Sequence, residues 1–531
     1  MSDPRRSSEI VFRYLLEAHA RDHGDRQFAV FPEENAAWTW ADADRAANRC
    51  AAVLRAHGVG RGDRVAVLGD NTQGVVQTLL GTTKLGGVYS PLHPAWQADH
   101  LRHGLSVTKP KFLVCQADYL PRLEAAESPD LPPTVGVLGE FTPRGSRFVA
   151  MNELIEAAPA DPPDDPGLHI WDPYAAIFTS GTTGPPKAVL SPYGQLAAQI
   201  EHSMLPFLDA DEVLLGDMPL YHVGALLSFL AVLQLGARWV VVPKVRIDSF
   251  WDTVRRYGVT HATFTPAAAT FLEKKQPRPD DADNPLRIVL TGTFSKGLDR
   301  WCARFGVPHR YRYYNGTEQC SPLMTGLDPA EDAPTGYVRP GVTARLVDGD
   351  DLPVPPGAVG ELVVRPDRPW ETMLGYLGDP AATARAWRNG WYHTGDLFVQ
   401  TGEGTFQHVD RAADVIRRHG ENISSVEVER VVLEHPAVLR GAAVGLPSEE
   451  VPGDQDIKLC LVLRPDADLA MDELIGFLRD RLPSYAVPRY VEICPELPVT
   501  ATNKIRKPVL RAAGVTAATW DRHRPQGSRT G

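Results

Sequence analysis

Residues 179–187 read Thr-Ser-Gly-Thr-Thr-Gly-Pro-Pro-Lys. Small hydroxylated residues and glycines at this density cannot pack a core, but they can wrap a polyphosphate. Gly181 and Gly184 let backbone N–H groups approach an anion, the hydroxyls of Thr179, Ser180, Thr182 and Thr183 add donors, and Lys187 adds positive charge. The spacing is not that of a Walker A loop, which needs G-x-x-x-x-G-K-[ST]. Here the glycines stand too close together and the lysine follows two prolines. The plain competing reading is a flexible Ser/Gly connection, and the runs further along the chain weigh against it.

The second run is Tyr313-Tyr314-Asn315-Gly316-Thr317-Glu318. An aromatic can stack on a purine, a hydroxyl can donate to a phosphate, and a carboxylate can hold Mg²⁺. Taken alone, a buried tyrosine and a surface glutamate explain it as well. The third, Trp391-Tyr392-His393-Thr394-Gly395-Asp396, sets a carboxylate after a glycine turn, a good acceptor for ribose hydroxyls. Asp410-Arg411 and the segment IRRHGENISSVEVE over residues 416–429 follow. The last run is Leu497-Pro498-Val499-Thr500 with Asn503-Lys504-Ile505-Arg506-Lys507. A lone lysine there reads as a solvated side chain.

These residues need elements to hold them. A capped amphipathic helix is predicted over residues 39–58, with Ala43, Ala47, Cys50, Ala51 and Leu54 at helical spacing and Gly58 at the stop. A buried strand over 64–68, a polar turn at Gly69-Asp70-Asn71 and a helix over 75–85 come next. Further strands are expected at 88–89, 112–114, 175–178, 212–215, 239–242, 261–264 and 287–290. The alternation predicts stacked α/β layers with mostly parallel sheets. The strand 175–178 delivers the Ser/Thr/Gly loop. Pro-rich stretches at 128–133 and 158–166 are surface connections. Beyond about Asp410 the pattern becomes a small α/β unit of roughly one hundred residues.

The chain has 531 residues, too many for one core. Its net charge of -11 opposes a nucleic-acid backbone, so no nucleic-acid partner is expected. The six cysteines are scattered with no Cys-x-x-Cys pair, which argues against zinc or a disulfide framework and suits a cytoplasmic protein. The N-terminus has no apolar signal core. No uncharged apolar run reaches the ~18 residues a membrane span needs, so no integral membrane segment is expected.

Taken in order, the runs resemble the acyl-adenylate-forming (AMP-binding) superfamily: acyl-CoA synthetases, adenylation domains of peptide synthetases, and luciferases. The resemblance covers residues 39–511 and includes GVGRGDRVAVLGDN and LPSYAVPRY. The Tyr-Asn-x-Thr-Glu run and GENISSVEVE resemble the carnitine/crotonobetaine-type acyl-CoA ligases most. The resemblance implies a large N-terminal multi-subdomain α/β domain with stacked sheets over residues 1–411. A small mobile C-terminal α+β domain would take 412–531. It implies ATP, Mg²⁺ and CoA, or a carrier-protein phosphopantetheine, as cofactors, and a small carboxylic acid as substrate.

Residue by residue, the resemblance places Thr179, Ser180, Gly181, Thr182, Thr183, Gly184 and Lys187 over the β- and γ-phosphates. Tyr314 lies against adenine, with Asn315 in the same nucleotide-binding run. Thr317 touches the α-phosphate, Glu318 is the metal ligand, Asp396 takes the ribose hydroxyls, and Arg411 assists there. His222, in Pro219-Leu220-Tyr221-His222-Val223-Gly224, resembles the gate beside the substrate carboxylate. Lys504 is the lysine used in adenylation. Gly420 to Ser425 resembles the face presented in the thiol-transfer state.

Several positions depart from the pattern. Ala188 and Asn503 stand where glycines are usual, and Ala413 occupies the pivot. Thr291-Gly292-Thr293-Phe294-Ser295 replaces a Gly-Gly-Ala-Pro-like turn, with Phe294 bulky near the expected pocket. A histidine at 222, where α-amino-acid domains place an aspartate, disfavours an α-amino acid. Pocket segments at 223–227, 264–269, 291–294 and 320–323 fit a small aromatic or short-to-medium acid. No carrier-protein segment is read after the small domain, so free CoA or a separate carrier protein is the acceptor. Two other enzymatic readings are a stand-alone adenylation enzyme loading a carrier and ATP-dependent activation of nitrite for attack by an aryl amine. A non-catalytic nucleotide-binding protein is the reading from another class, and the joint presence of Thr317, Glu318, Asp396 and Lys504 counts against it.

Overall fold

The structure, a computed structural model, describes residues 7–143, 145–179, 185–244, 246–264, 266–291, 297–418, 421–448, 454–500 and 504–524. These fall into two compact units. The first takes residues up to 179, 185–344 and 364–392; the second takes 345–363 and 393–524.

The first unit is built on two mixed sheets. One runs in the order Gly375–Tyr376, Lys187–Pro192, Pro173–Thr179, Val88–Leu92, Arg64–Leu68, Phe112–Gln116, Val135–Leu138, Phe148–Ala150. From Pro173–Thr179 onward its pairings are parallel; Lys187–Pro192 turns back, and Gly375–Tyr376, antiparallel to it, runs with the rest. The other sheet carries the parallel run His309–Tyr314, Ile288–Thr291, His261–Phe264, Val213–Gly216, Arg238–Val241, Gln27–Phe31. The predicted strands are present, as is the mostly parallel layering: two match, three are longer by two or three residues, and three are shifted by one. Strands buried on both faces read as the continuous apolar runs that the sequence shows.

Helices fill the space against these sheets. Trp40–Ala56 begins at the predicted cap: Thr39 accepts from the Asp42 N–H while Asp42 reaches back to the Thr39 N–H, a reciprocal capping box. Gln73–Lys84 follows, close to the predicted 75–85. Val223–Leu235 is apolar on every side and buried almost throughout, as expected of a helix packed on all faces. Val65, Val114 and Ile177 of the first sheet share a single apolar core with Leu214, Trp239, Leu290 and Tyr311 of the second. The strands therefore deliver their C-terminal ends, and the loops after them, from a rigid base.

In the second unit a sheet of Val438–Pro447, Gln455–Leu463, Tyr490–Ile493 and Trp520–Asp521 is covered on both faces. Helices Ser425–Leu433 and Met471–Arg479 pack on one face through Val428, Val432, Leu474 and Leu478. Leu510 of Lys507–Ala513 packs on the other against Ala442, Val444 and Cys460. The strands Tyr392–Gly402 and Thr405–Arg411 pair antiparallel in the same unit, apart from Tyr392. All six cysteines are free thiols, as their scatter predicted.

Candidate active site

The run expected to wrap a polyphosphate connects two paired strands. Pro173–Thr179 ends and Lys187–Pro192 begins opposite each other, with Thr179 in register with Lys187 and its hydroxyl donating to the Lys187 carbonyl at 3.4 Å. Ser180, Gly181, Thr182, Thr183 and Gly184 lie outside the described residues. Lys187 projects over the ring of Tyr376, with Nζ 5.0 Å from its centroid. The Tyr376 hydroxyl donates to Glu318 Oε1 at 3.0 Å. Burial and the Glu318 carboxylate both hold that phenol protonated, well above its ordinary range. Lys187, Tyr376 and Glu318 thus form one line of contacts from three distant parts of the chain. Tyr376 was not among the expected site residues. Its local setting, Gly-Tyr-Leu-Gly, carries no signal of its own.

The turn after His309–Tyr314 is braced along its backbone. Buried Gln195, on the helix Tyr193–Glu201, donates to the carbonyls of Thr317 and Gln319, each at 2.9 Å, and Gln199 one turn later donates to Gln319 at 2.6 Å. The Met373 N–H takes the Glu318 carbonyl at 3.3 Å. Arg339 Nε takes that of Cys320 at 3.0 Å while its other arm pairs with buried Glu371. Four successive carbonyls, residues 317–320, therefore have donors. With the backbone held from behind, the positions of Thr317 and Glu318 are set by rigid elements. Tyr314 is buried at the strand end, and its hydroxyl accepts from Gln319 Nε2 at 3.3 Å. Asn315 accepts from the Ser321 N–H at 3.0 Å and so closes the turn.

His222 caps the helix Val223–Leu235. Its Nδ1 accepts from the Gly224 N–H at 3.1 Å, which in the neutral ring leaves Nε2 as the N–H donor. The loop leading to it is held by Asn71, whose amide donates to the Met218 carbonyl and accepts from the Leu220 N–H, both at 2.8 Å. Nearby, His93 packs its ring 4.2 Å from that of Tyr221, and burial pushes it down to about 4, so it is neutral.

In the second unit, Asp396 and Arg411 face each other across the pair Tyr392–Gly402 and Thr405–Arg411, with Arg411 Nε 2.7 Å from Asp396 Oδ1. Gly395 adopts a φ of +72°, a conformation that L side chains rarely adopt, and its N–H donates to Glu361 at 2.9 Å. This is the physical reason for a glycine before the aspartate. Asp410 receives the N–H and hydroxyl of Ser425, each at 2.6 Å, and Lys507 bridges Ser425 to Glu429. Lys504 is exposed on a loop closed by the Val499–Ile505 bridge, its N–H donating to Thr500 Oγ1 at 3.1 Å. Asn503 and Gly420 lie outside the described residues, as do residues 292–296 with Phe294.

Comparison with known proteins agrees with this arrangement. The AMP-binding enzyme family matches residues 16–377, and the AMP-binding enzyme C-terminal domain matches 427–504. An indoleacetate–CoA ligase of Aromatoleum aromaticum is 30% identical over 93% of this chain and 96% of its own. This chain belongs to the AMP-binding enzyme family. A crotonobetaine/carnitine–CoA ligase of Citrobacter koseri is 27% identical, covering 94% of this chain and 98% of its own, in line with the resemblance drawn from the Tyr-Asn-x-Thr-Glu run. In fold, the chain is similar to an anthranilate CoA ligase solved with anthranoyl-AMP: TM-score 0.84 at 22% identity, covering 94% of this chain and 96% of that one.

In an AMP-binding enzyme, the Glu318 carboxylate is of the type that could hold Mg²⁺. No group of three or more His, Cys, Asp or Glu side chains among the described residues is arranged to hold a metal ion by itself. A single carboxylate with phosphate oxygens and water is the usual way proteins hold this ion. No helix among the described residues is long and apolar enough to cross a membrane.

Proposed function

We propose that this AMP-binding enzyme condenses a small carboxylic acid with ATP to an acyl-adenylate and then passes the acyl group to the thiol of CoA. The observation that carries this reading is the line Lys187–Tyr376–Glu318 beside a turn whose carbonyls are tied from behind. Such an arrangement spends donors to hold one lysine, one carboxylate and one hydroxyl in place, which is what in-line displacement at phosphorus requires.

The carboxylate attacks the α-phosphorus and pyrophosphate leaves, so negative charge gathers where two anions meet. In this reading residues 179–184 and Lys187 hold the departing phosphates. Thr317 donates to the α-phosphate, and Tyr314 and Asn315 belong to the adenine side. Asp396 accepts the ribose hydroxyls, with Arg411 assisting. Glu318 would hold Mg²⁺, which supplies charge neutralisation on the phosphates. His222, with its Nε2–H as donor, orients the acid's carboxylate. Lys504 supplies the mobile positive charge for adenylation. Residues 412–531 then turn about a hinge after Arg411, so that the segment 420–425 replaces Lys504 and admits the thiol. The compact unit holding Lys504 also contains 345–363 and 393–411, so the proposed boundary is one of motion and not of packing.

The relative named for indoleacetate favours a small aromatic acid, and the one named for crotonobetaine/carnitine a short aliphatic one. The test is incubation of the purified protein with ATP, Mg²⁺, CoA and a panel of aliphatic and aromatic acids, read by mass spectrometry. Acyl-CoA with AMP for one acid is the expected result. AMP without acyl-CoA would point to a carrier protein or, with nitrite and an aryl amine, to the non-thiol chemistry.

A further inference from the structure

Asp217 is 3% exposed, and neither of its carboxyl oxygens meets a hydrogen-bond donor in good geometry among the described residues. Other buried acids in the first unit are differently placed: Glu371 pairs with Arg339, and Glu212 with Arg287. Among the described residues only the N–H groups of Asp217 itself and of Met218 approach it, and a buried acid so weakly held is costly and calls for a reason.

Its position supplies one. Asp217 directly follows the strand Val213–Gly216, at the carboxyl end of the parallel run, where open α/β sheets take their ligands. One further side chain at the same end of the sheet shares the defect: Thr291, the last residue of Ile288–Thr291, buries a hydroxyl with no partner among the described residues. The registers Leu214 with His261 and Phe264 with Thr291 set these strand ends side by side. The placement of Asp217 is not loose: Asn71 takes the Met218 carbonyl and the Leu220 N–H, fixing the backbone just after it. The same short loop runs on to His222, the residue proposed above to meet the acid's carboxylate.

We propose that Asp217, with Thr291 at the same end of the sheet, binds a hydrogen-bond donor, a hydroxyl or an N–H, on the part of the acid remote from its carboxylate. This rests on the carboxylic-acid reading above. Burial raises the Asp217 carboxyl to about 7, so near neutral pH it can meet an uncharged donor without holding a full buried charge. An acid lacking the donor leaves both groups unsatisfied and is rejected, the strongest kind of discrimination a polar pocket offers.

The experiment compares hydroxybenzoates, aminobenzoates, hydroxyphenylacetates and indole-3-acetate, each beside a donor-free analogue, in wild type, Asp217→Asn and Asp217→Leu. Wild type is expected to favour at least one donor-bearing acid by about 10²-fold or more in kcat/KM. Asp217→Leu should bring that ratio to within a few-fold, and Asp217→Asn, which keeps a polar group of the same size, should retain part of it. Hydroxyl against amine series tells which donor is read. Thermal unfolding checks that both variants fold, and either folded variant suffices. An unchanged ratio in the variants, or no donor preference in wild type, overturns the inference while leaving the ligase reading intact. Absence of AMP with every acid overturns the ligase reading and this inference with it.

Discussion

Arg411 places its Nε 2.7 Å from the carboxylate of Asp396, directly opposite it across two antiparallel strands, and the two side chains differ sharply in exposure: 48% for the arginine, 4% for the aspartate. The buried acid is therefore held by a partner that itself reaches water. Arg411→Ala should cost about 1–3 kcal/mol, below the loss for a wholly buried pair because water replaces part of the guanidinium. It should also raise the KM for ATP. Arg411→Lys should recover only part of both, since a point charge does not reproduce the guanidinium's directed N–H. Denaturant melts and ATP–pyrophosphate exchange measure the two effects.

Tyr376 touches both charged groups of its line, through its hydroxyl to Glu318 and its ring to Lys187. Tyr376→Phe removes only the first contact. The Mg²⁺ concentration for half-maximal pyrophosphate release should rise by roughly 10-fold, the low end of what loss of an orienting partner costs a metal ligand. Tyr376→Ala should add a loss in ATP affinity because Lys187 is no longer packed. Equal Mg²⁺ titrations in wild type and Tyr376→Phe would rule out this role for the hydroxyl.

Gln195 serves two buried carbonyls at once, and Gln199 backs up only that of Gln319. Gln195→Leu leaves the Thr317 carbonyl without this donor, at a cost of about 1–3 kcal/mol. A lower Tm together with a higher KM for ATP is expected. Gln199→Leu should be milder in both, because its acceptor keeps Gln195.

Lys504→Ala should slow adenylation by ~10²–10³-fold, about the effect of removing one preorganised electrostatic contact. Thioester formation from a supplied acyl-adenylate should proceed at the wild-type rate. Equal loss in both half-reactions would contradict a role confined to adenylation.

Two buried groups tie stability to pH in opposite senses. His261, wholly buried beside the Tyr311 hydroxyl, is pushed down to about 3 by desolvation. Between pH 6.5 and 3 the unfolded chain binds a proton that the native state refuses, so stability falls as pH falls, by up to about 1.4 kcal/mol per unit. Asp217 is raised to about 7 by burial. The native state keeps a proton there that the unfolded chain loses above about 4, so its contribution is greatest in acid and declines as pH rises toward 7. Asp217→Asn should therefore gain stability relative to wild type on going from pH 4 to pH 7.5. His261→Gln should flatten the acid limb. Denaturant melts across pH, compared as differences from wild type, separate the two.

Much of the candidate site was proposed before any contact was known. Thr179, Lys187, Tyr314, Thr317, Glu318, Asp396, Arg411 and Lys504 stand out because rare residue types recur at short, ordered spacings. The capping box at Thr39 and Asp42 and the apolar strand runs were legible for a similar reason, since each is set by neighbours within a few residues. Tyr376, Gln195, Gln199 and Asn71 were not. Gln195 lies 122 residues from the carbonyl it holds at Thr317, and Tyr376 lies 58 from Glu318. No local pattern marks a glutamine that serves a distant turn, or tells a tyrosine that orients a carboxylate from one that fills a core.

The amino-acid sequence by itself determined the family, the layered α/β elements and the residue types available for phosphoryl chemistry, because these depend on composition and spacing along the chain. Tertiary structure alone decided which backbone groups brace the turn before Glu318, and that Lys187 and Glu318 share Tyr376. It also decided that Asp217 is buried with no well-aligned donor among the described residues. Pairing and desolvation are properties of groups brought together in space, and the chain order of those groups does not encode them.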